Sequence, residues 1–295
     1  MASRVIDYLR SLSLTNRQAR ELLDTGKVFY RGIPTADGGR EVDFAEVSVQ
    51  RSAPRLRPNR DIAIVYRDPH MAVVIKPPGM LAVSAPGRHD VRSVIGVVRH
   101  ILGAAFPVHR LDEDTSGLMM VALTEECQRR IKDILFNHRV ERGYLAMVAG
   151  LFPKEPFTVR TQLVRNRGDG LRGSSREEDE DGAREAVTHF ALREHLGRRA
   201  SIVEARLETG RTHQVRIHLS ERRFPILGDA LYAPAAVAQM APRLALHAFR
   251  LGIKHPFTGN DLSFEAPLAD DIEALRRKIM PRHGAFDPLY TKRGV

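Results

Sequence analysis

Several residue types are absent or rare in this chain of 295 residues, and each absence excludes a class of protein. There is no tryptophan, the aromatic platform on which many sugar-processing enzymes stack their substrates. The single cysteine, Cys127, excludes an internal disulfide bond and a zinc site built from cysteines. No apolar run approaches the length of a membrane span, and residues 1–4 lack the apolar region of a signal peptide. We therefore expect a cytoplasmic protein without a membrane-spanning segment.

Common cofactor and metal motifs are absent as well. The chain has no Walker A loop, no G-x-G-x-x-G turn and no H-E-x-x-H helix, so we expect neither a cofactor nor a metal. Positive charge, in contrast, is in excess: 46 lysines and arginines against 36 aspartates and glutamates give a formal net charge of +10. This balance favours a polyanionic partner, with nucleic acid as the first candidate.

The most informative stretch joins a polar turn to an apolar run. Leu118 to Leu123 is uninterrupted apolar sequence, whose length predicts a strand buried on both faces. Asp112, Asp114 and Ser116 precede it in a turn-forming segment. A carboxylate-bearing loop would thus lead directly into a core strand, which is a way to hold a catalytic group on a rigid element.

Other interpretations of this stretch fit less well. His109, Asp112 and Ser116 lie too close along the chain to form a Ser-His-Asp triad, and no G-x-S-x-G turn is present. Asp112 and Asp114 are neighbours in a tight turn, so they are poorly placed to flank the scissile bond of a sugar as a glycoside hydrolase requires. Taken alone, a D-x-x-T-S-G segment is also a common structural turn whose side chains bond to nearby backbone.

Residues 1–50 form a module of their own. Apolar spacing predicts two helices followed by short strands, with a capping box of Thr15 and Gln18 at the start of the second helix. Basic side chains surround that helix: Arg17, Arg20, Lys27 and Arg31. Residues 51–60 contain two prolines and four arginines without periodicity, which predicts a linker.

Residues 61–283 carry the remaining motifs, and residues 284–295 follow as a tail. Apolar patterns predict strands that end at Lys76 and that contain Tyr144. The alternation from His213 to Leu219 predicts a further strand, with Arg216 on its polar face. In such a strand His213 and His218 would point to opposite faces, so they would not share a metal ion.

These motifs resemble those of the RluA-type pseudouridine synthases in order and spacing. His109 to Gly117 is similar to the family's H-R-L-D-x-x-T-S-G, and Gly210 to His218 is similar to its G-R-T-H-Q-I-R-x-H. Further matches are Tyr66 to Gly79, Arg142 to Gly150, Gly228-Asp229 with Tyr232, Leu246 to Ala248, and His255-Pro256. Residues 1–50 resemble the S4 RNA-binding module, although Val28 to Gly32 departs from its usual V-x-V-N-G.

The resemblance implies an α+β fold: a mixed, largely antiparallel sheet with flanking helices and a central cleft, preceded by a small S4-like module. It also implies conversion of uridine to pseudouridine in RNA. In that reaction the C1′–N1 bond breaks, the uracil turns over, and C5 joins C1′. Because the exchange is internally balanced, it requires neither a cofactor nor a metal.

By the same resemblance Asp112 is the catalytic carboxylate, acting either as the nucleophile at C1′ or as the base that removes a C2′ proton. Arg216 would pair with Asp112 and keep it ionised in a site that excludes water. Tyr144 would stack on the uracil and could take the C5 proton. Arg110 would fill the gap left by the flipped base, while His109 would shape the loop.

Other contacts are expected with RNA phosphates. Lys76, at a strand end, would contact a phosphate or pair with a nearby carboxylate. The basic residues of the first module, Arg17, Arg20, Lys27 and Arg31, would bind phosphates as in S4 modules. Residues 165–185 are glycine-rich and then acidic, which predicts an exposed hairpin or a mobile loop. Since acidic side chains repel phosphates, we expect no RNA-binding role for this segment.

The target stays open between two kinds of RNA. Large-subunit ribosomal RNA is expected, because RluA-type enzymes with an S4 module mostly resemble modifiers of that RNA; transfer RNA is the alternative. A non-catalytic S4-type RNA-binding or ribosome assembly protein would tolerate the loss of Asp112, Tyr144 or Arg216, yet all three are present. No obvious sticky patch is seen, so we expect a monomer.

Overall fold

The computed structural model describes residues 3–53, 55–57, 61–84, 93–175 and 181–280. The predicted tail (284–295), the last residues of the predicted catalytic domain (281–283) and most of the acidic run lie outside these ranges. Val49 ends a small sheet and Ala63 begins a large one, on either side of the predicted linker.

The N-terminal module consists of two helices packed on a three-stranded sheet. The predicted capping box is confirmed: the Gln18 N–H donates to the Thr15 hydroxyl, and the Thr15 N–H donates to the Gln18 side chain. A short 3₁₀ turn, Phe44–Glu46, leads into the last strand. The elements are α1 (Val5–Ser11), α2 (Asn16–Asp24), β1 (Val28–Tyr30), β2 (Ile33–Pro34) and β3 (Val47–Val49).

The rest of the described chain builds an eleven-stranded sheet with flanking helices. Its strands are β4 (Ala63–Arg67), β5 (Met71–Lys76), β6 (Phe106–Pro107), β7 (Ser116–Ala122), β8 (Val140–Ala149), β9 (Phe157–Val164), β10 (Gly173–Ser174), β11 (Arg184–Leu196), β12 (Ala200–Leu207), β13 (Leu246–Lys254) and β14 (Asp261–Glu265). Its helices are α3 (Val94–Leu102), α4 (Glu125–Phe136), α5 (Gln214–Glu221), α6 (Ala235–Ala238) and α7 (Asp270–Ile279).

The large sheet is antiparallel except at one place. Its order is β10-β9-β11-β12-β8-β13-β7-β5-β4, with β14 beside β13 and β6 beside β7. Among the strands in the described ranges, only β7 and β13 pair in parallel. The predicted α+β fold with a mixed, largely antiparallel sheet is therefore confirmed. Within the part of the chain that is described, no helix is long and apolar enough to cross a bilayer.

Strand β7 lies between β13 and β5 inside the sheet and is buried along its whole length, as its apolar run predicts. Met119 and Val121 point into one hydrophobic core, and Leu118 and Met120 point into the core on the other face. Burial on both faces explains why the run shows no alternation of polar and apolar residues. The loop that carries Asp112 leads directly into this strand.

Glycine is required where β7 meets β13. Gly117 has a φ of +117°, a backbone conformation that other residues rarely adopt. A Cβ built at Gly117 would lie 2.2 Å from the Ala248 carbonyl oxygen. The glycine of the T-S-G segment therefore permits a close approach of two backbones, in addition to forming a turn.

The segment from His213 to Leu219 is a helix, so the predicted strand is wrong. α5 begins after His213, which has a left-handed φ of 61°, and its residues from Gln214 to Leu219 are all buried. A helix surrounded on all sides by protein has no solvent-facing stripe, and the helical period is therefore missing from its sequence. Arg216 consequently lies in the first turn of a buried helix.

A serine caps the first helix of the large domain. Ser93 precedes α3, and its hydroxyl accepts a hydrogen bond from the Gly96 N–H.

Ion pairs connect the N-terminal module to the closing helix of the large domain. The Arg40 guanidinium donates to Asp270 at 3.0 Å and to the Leu268 carbonyl at 2.6 Å. Arg277 donates to Asp37 at 2.7 Å. Since Arg40 and Asp270 are largely buried, these contacts hold the module against α7.

Candidate active site

The loop that carries Asp112 is held by hydrogen bonds to three successive carbonyl groups. The Asp112 carbonyl accepts from the Thr115 N–H at 3.1 Å, which closes a tight turn. The Glu113 carbonyl accepts from the Gly79 N–H at 3.0 Å and from Lys76 Nζ at 2.6 Å. The Asp114 carbonyl accepts from Arg243 at 3.2 Å. The backbone around the carboxylate is therefore fixed before any substrate arrives.

Lys76 supports this loop from inside the protein. Its side chain is fully buried, and Nζ donates to the carbonyls of Pro77, Met80 and Glu113 at 3.0, 2.7 and 2.6 Å. Burial lowers the pKa of Lys76 to about 7, against the opposing effect of the Asp114 charge. The predicted phosphate contact is therefore wrong, because RNA cannot reach this ammonium group, and the alternative ion pair with a carboxylate is not formed within the described residues.

Asp112 lies at the wall of a cleft and is paired with Arg216, as expected from the resemblance. Arg216 Nη1 lies 3.3 Å from Asp112 Oδ2. The rest of the guanidinium binds Asp229 in a bidentate arrangement, with Nε at 2.9 Å and Nη2 at 2.8 Å. Burial alone would lower the pKa of Arg216, but the hydrogen bonds and charge of Asp229, aided by Asp112, raise it above its ordinary value.

Asp229 is the partner that the sequence analysis missed. Its side chain is only 1% exposed, and it also accepts backbone hydrogen bonds from Leu231 and Tyr232. Burial opposes ionisation of Asp229, but the Arg216 guanidinium holds its pKa below the usual range. Its membership of the Gly228-Asp229 motif was visible in the sequence, but nothing there connected it to Arg216.

His213 and Tyr232 lie next to the Asp112–Arg216 pair. His213 Nε2 lies 3.8 Å from Asp112 Oδ1, and its Nδ1 is 2.9 Å from the Tyr232 hydroxyl. Burial lowers the pKa of His213, so the ring is neutral at neutral pH. The Tyr232 ring faces the Arg216 guanidinium at 5.1 Å. Arg216 is therefore enclosed by two carboxylates and an aromatic ring.

A buried polar network holds α5, and with it Arg216, against β11. The Gln214 side-chain oxygen accepts from the Thr209 hydroxyl at 2.8 Å and from the Arg211 N–H at 3.0 Å. Its side-chain nitrogen donates to the Val187 carbonyl and the Thr188 hydroxyl. All the hydrogen-bonding capacity of one buried amide is thus used to fix the first turn of the helix.

Tyr144 extends from β8 into the same cleft as Asp112. The cleft has a volume of about 600 Å³, and Arg110, Leu207 and Arg211 line it as well. Burial raises the pKa of the Tyr144 phenol to about 12, so the hydroxyl stays protonated at neutral pH. In the free protein Tyr144 is therefore suited to contact a base with its ring and is a poor proton acceptor.

Arg110 and His109 take different positions although they are neighbours. Arg110 is exposed at the cleft and has no hydrogen-bond or ion-pair partner among the described side chains. His109 Nε2 accepts a hydrogen bond from the Met120 N–H at 2.9 Å, which ties the loop to β7. Burial lowers the pKa of His109 to about 3, so it is a neutral structural residue, as the sequence suggested.

The basic residues of the N-terminal module do not line the Asp112 cleft. Arg17 and Arg20 are exposed on α2. Lys27 donates to the Ala53 carbonyl, and Arg31 pairs with Glu46 at 2.8 Å. Of the four predicted phosphate contacts, two thus have free cationic groups within the described ranges and two are engaged in intramolecular contacts.

A carboxylate fixed by an arginine, beside a tyrosine in a wide basic cleft, fits an enzyme that acts on a nucleoside within RNA. Comparison with known proteins agrees: residues 70–221 match the RNA pseudouridylate synthase family. An uncharacterised RNA pseudouridine synthase of Bacillus subtilis is 39% identical over 73% of this chain and 72% of its own length. The ribosomal large subunit pseudouridine synthase D of Zymomonas mobilis is 34% identical over 82% of this chain and 80% of its own.

A solved structure agrees with this family relationship. The human RNA pseudouridylate synthase domain containing 1 superimposes with a TM-score of 0.60 at 26% identity, over 72% of this chain and 86% of that one. The chain belongs to the RNA pseudouridylate synthase family, and the predicted RluA-type relationship is confirmed. It is an enzyme that isomerises uridine to pseudouridine in RNA, and the non-catalytic alternative is set aside.

Proposed function

We propose that this enzyme forms pseudouridine at specific uridines of large-subunit ribosomal RNA. Relatives that bear the name ribosomal large subunit pseudouridine synthase D, from Zymomonas mobilis and Xanthomonas campestris, support this substrate at 34% and 37% identity. The formal net charge of +10 suits a polyanionic substrate. The protein works as a monomer in the cytoplasm in this proposal, with transfer RNA as the alternative substrate.

Asp112 is the catalytic carboxylate in this proposal. The observation that carries it is the 3.3 Å contact with Arg216 at the wall of the cleft, because the fixed guanidinium pairs with the carboxylate and holds it where a bound nucleotide would lie. Asp112 attacks C1′ or removes the C2′ proton, and the C1′–N1 bond breaks. The freed uracil turns over and C5 bonds to C1′; in the first route this displaces Asp112 from C1′, and in the second route Asp112 then returns the proton to C2′. C5 loses its proton and N1 gains one, so atoms and charges balance.

Tyr144 and Arg110 handle the base in the proposed reaction. Tyr144 contacts the flipped uracil with its ring; its phenol, with a pKa near 12, does not remove the C5 proton in the ground state. Arg110 is exposed at the cleft and free of partners among the described residues, so it can enter the space that the flipped uridine leaves.

The N-terminal module binds RNA away from the target nucleotide. We assign residues 1–50 to an S4-like RNA-binding domain, 51–60 to a linker and 61–283 to the catalytic domain. Arg17 and Arg20, exposed on α2, are its phosphate contacts, and the engaged side chains of Lys27 and Arg31 contribute less.

The test is tritium release from RNA labelled at C5 of uridine. We expect release from large-subunit ribosomal RNA with the wild type and none with Asp112→Asn, which keeps the shape of the side chain. Glu113→Gln, an exposed neighbour in the same loop, serves as the matched control and should remain active. Release from transfer RNA alone would overturn the substrate assignment, and full activity of Asp112→Asn would overturn the role of Asp112.

A further inference from the structure

A groove of about 200 Å³ opens beside the active-site cleft. Four arginines line it, and we call it the arginine groove: Arg165, Arg172, Arg184 and Arg211. The first three lie where β9, β10 and β11 begin or end, so three strand ends bring them to one place. The other described residues of its lining are apolar, glycine or threonine, and none is acidic.

The arginine groove is continuous with the cleft that contains Asp112. Gly210, Arg211 and Thr212 line both spaces. The charge of Arg172 also contributes to lowering the pKa of His213, whose ring lies 3.8 Å from the Asp112 carboxylate. An RNA chain whose target nucleotide lies at Asp112 can therefore continue directly into the groove.

The arginines of this region divide into engaged and free side chains. Outside the groove, Arg160 pairs with Glu185, and Arg167 pairs with Asp169 at 3.0 Å. Arg165, Arg172 and Arg184 have no hydrogen-bond or ion-pair partner for their guanidinium groups among the described residues. Three unpaired cations around one groove repel each other, so the arrangement favours an anionic ligand.

Hydrogen bonds connect the wall of the groove to α5, the helix whose Arg216 pairs with Asp112. The N–H and the hydroxyl of Ser174 donate to Glu221 at 2.9 and 2.6 Å. Glu221 is the last residue of α5, and Arg216 lies in the first turn of the same helix. The groove and the Asp112–Arg216 pair therefore have a fixed relative position. A site that binds the nucleotide next to the target needs such a fixed position, because it must place the target uridine at Asp112.

We propose that the arginine groove binds the backbone phosphate of a nucleotide that adjoins the target uridine. The inference rests on the proposed function, since it takes RNA as the substrate of the neighbouring cleft. Guanidinium groups suit phosphate because their N–H groups bind its oxygens in pairs. It also revises the expectation that residues 165–185 have no RNA-binding role: the acidic run is part of this segment, but three of its arginines form the groove.

The test compares two triple variants of equal charge. Arg165→Gln, Arg172→Gln and Arg184→Gln together remove the free cations of the groove. Arg67→Gln, Arg129→Gln and Arg222→Gln together remove exposed arginines elsewhere. Binding of a fluorescent oligouridylate is measured by anisotropy over a series of salt concentrations, and melting temperatures verify that both variants fold.

For the groove variant we expect a Kd at least about tenfold higher than that of the wild type, as for a lost charge-assisted contact. The slope of log K against log salt should fall by about 0.7 for the one phosphate released from a single strand. The matched variant should stay close to the wild type in both quantities. Equal changes in the two variants would overturn the groove proposal.

A second experiment locates the phosphate. Neutral methylphosphonate linkages are placed one at a time around the target uridine of the ribosomal RNA fragment that the wild type modifies. We expect the linkage next to the target to raise KM for the wild type and to have no further effect on the groove variant. If the wild type modifies no ribosomal RNA, the substrate proposal fails, whereas the oligouridylate comparison still decides on the groove.

Discussion

Two sets of polar groups around the active-site cleft and the arginine groove differ in how they are paired. On the wall that carries Asp112 and Arg216, the loop carbonyls and the guanidinium are all bound by protein groups. Four other arginines form the unpaired side, because their guanidinium groups have no such partners within the described ranges: Arg110, Arg165, Arg172 and Arg184. The paired groups around Asp112 are held in a fixed geometry, as catalysis requires. The unpaired arginines keep their N–H groups available to bind RNA.

This contrast predicts different consequences of substitution. Changes on the paired wall should lower stability and turnover together, because they leave buried groups without partners. Changes on the unpaired side should weaken RNA binding and leave stability unchanged. The expected effect on stability decreases from Asp229 through Lys76 and Gln214 to Arg110.

Asp229→Ala should have the largest effect. It would leave the Arg216 guanidinium buried without its bidentate partner, so we expect the free energy of unfolding to fall by about 3–5 kcal/mol. Pseudouridine formation should fall with it, since Arg216 would no longer be held next to Asp112. Urea unfolding and tritium release measure the two effects. Asp261→Ala, which breaks an exposed pair with Lys254, should cost less than about 1 kcal/mol; equal losses would contradict the prediction.

Lys76→Met should change the pH dependence of stability. The pKa of Lys76 is lowered from 10.5 to about 7 in the folded protein, so between these values the unfolded chain binds more protons and wild-type stability rises with pH. Below pH 7 both states are protonated and this gain is absent. Relative to Lys76→Met, the wild-type free energy of unfolding should rise by about 2–3 kcal/mol from pH 7.5 to 9.5.

Denaturant unfolding of both proteins across this pH range gives the difference. If the difference in the free energy of unfolding between the wild type and Lys76→Met does not change with pH, the three carbonyl acceptors keep Lys76 charged, and the prediction is wrong. Lys278→Met, at the exposed end of α7, is the matched control and should show no pH-dependent difference from the wild type.

Gln214→Leu removes the amide that fixes the first turn of α5 while keeping a similar volume. We expect a loss of roughly 1–2 kcal/mol in the free energy of unfolding, since buried partners lose their hydrogen bonds. Turnover should fall more than RNA affinity, because the position of Arg216 changes and the RNA-binding side does not. Gln239→Leu, at an exposed position, should leave both unchanged; a fall in affinity alone would argue against the assignment.

Arg110→Gln should leave stability within about 0.5 kcal/mol of the wild type, because the side chain is exposed. Its effect should appear in activity on folded RNA, where the target uridine must leave its stack. On a short single-stranded RNA with the same target the loss should be smaller. Equal losses on folded and single-stranded substrates would show that Arg110 does not act in base flipping.

Local signals predicted several elements well. The apolar run into β7 identified a strand buried on both faces, because its length and composition leave no amphipathic alternative. The capping box expected from Thr15 and Gln18 is present at the start of α2. These features depend on residues that are neighbours along the chain, so the sequence contains all the necessary information.

Other features depend on what surrounds a segment. α5 alternates like a strand because it is buried on every side, and only the packing around it shows that Gln214 and His218 face polar partners in the core. Lys76 was expected to contact an RNA phosphate or to pair with a nearby carboxylate, but its Nζ donates to three carbonyls from two loops. The pairing of Arg216 with Asp229 was likewise not predicted, since it depends on how the chain folds back after α5.

Gly117 has a consequence for the width of the cleft. Ala248 of β13 pairs with Gly117 of β7 on one side and with Tyr144 of β8 on the other. A single residue thus separates the strand that follows Asp112 from the strand that carries the tyrosine. Any side chain at position 117 would meet the Ala248 carbonyl and force these strands apart. The spacing between the loop that carries Asp112 and the strand that carries Tyr144 therefore depends on a glycine that does not itself line the cleft.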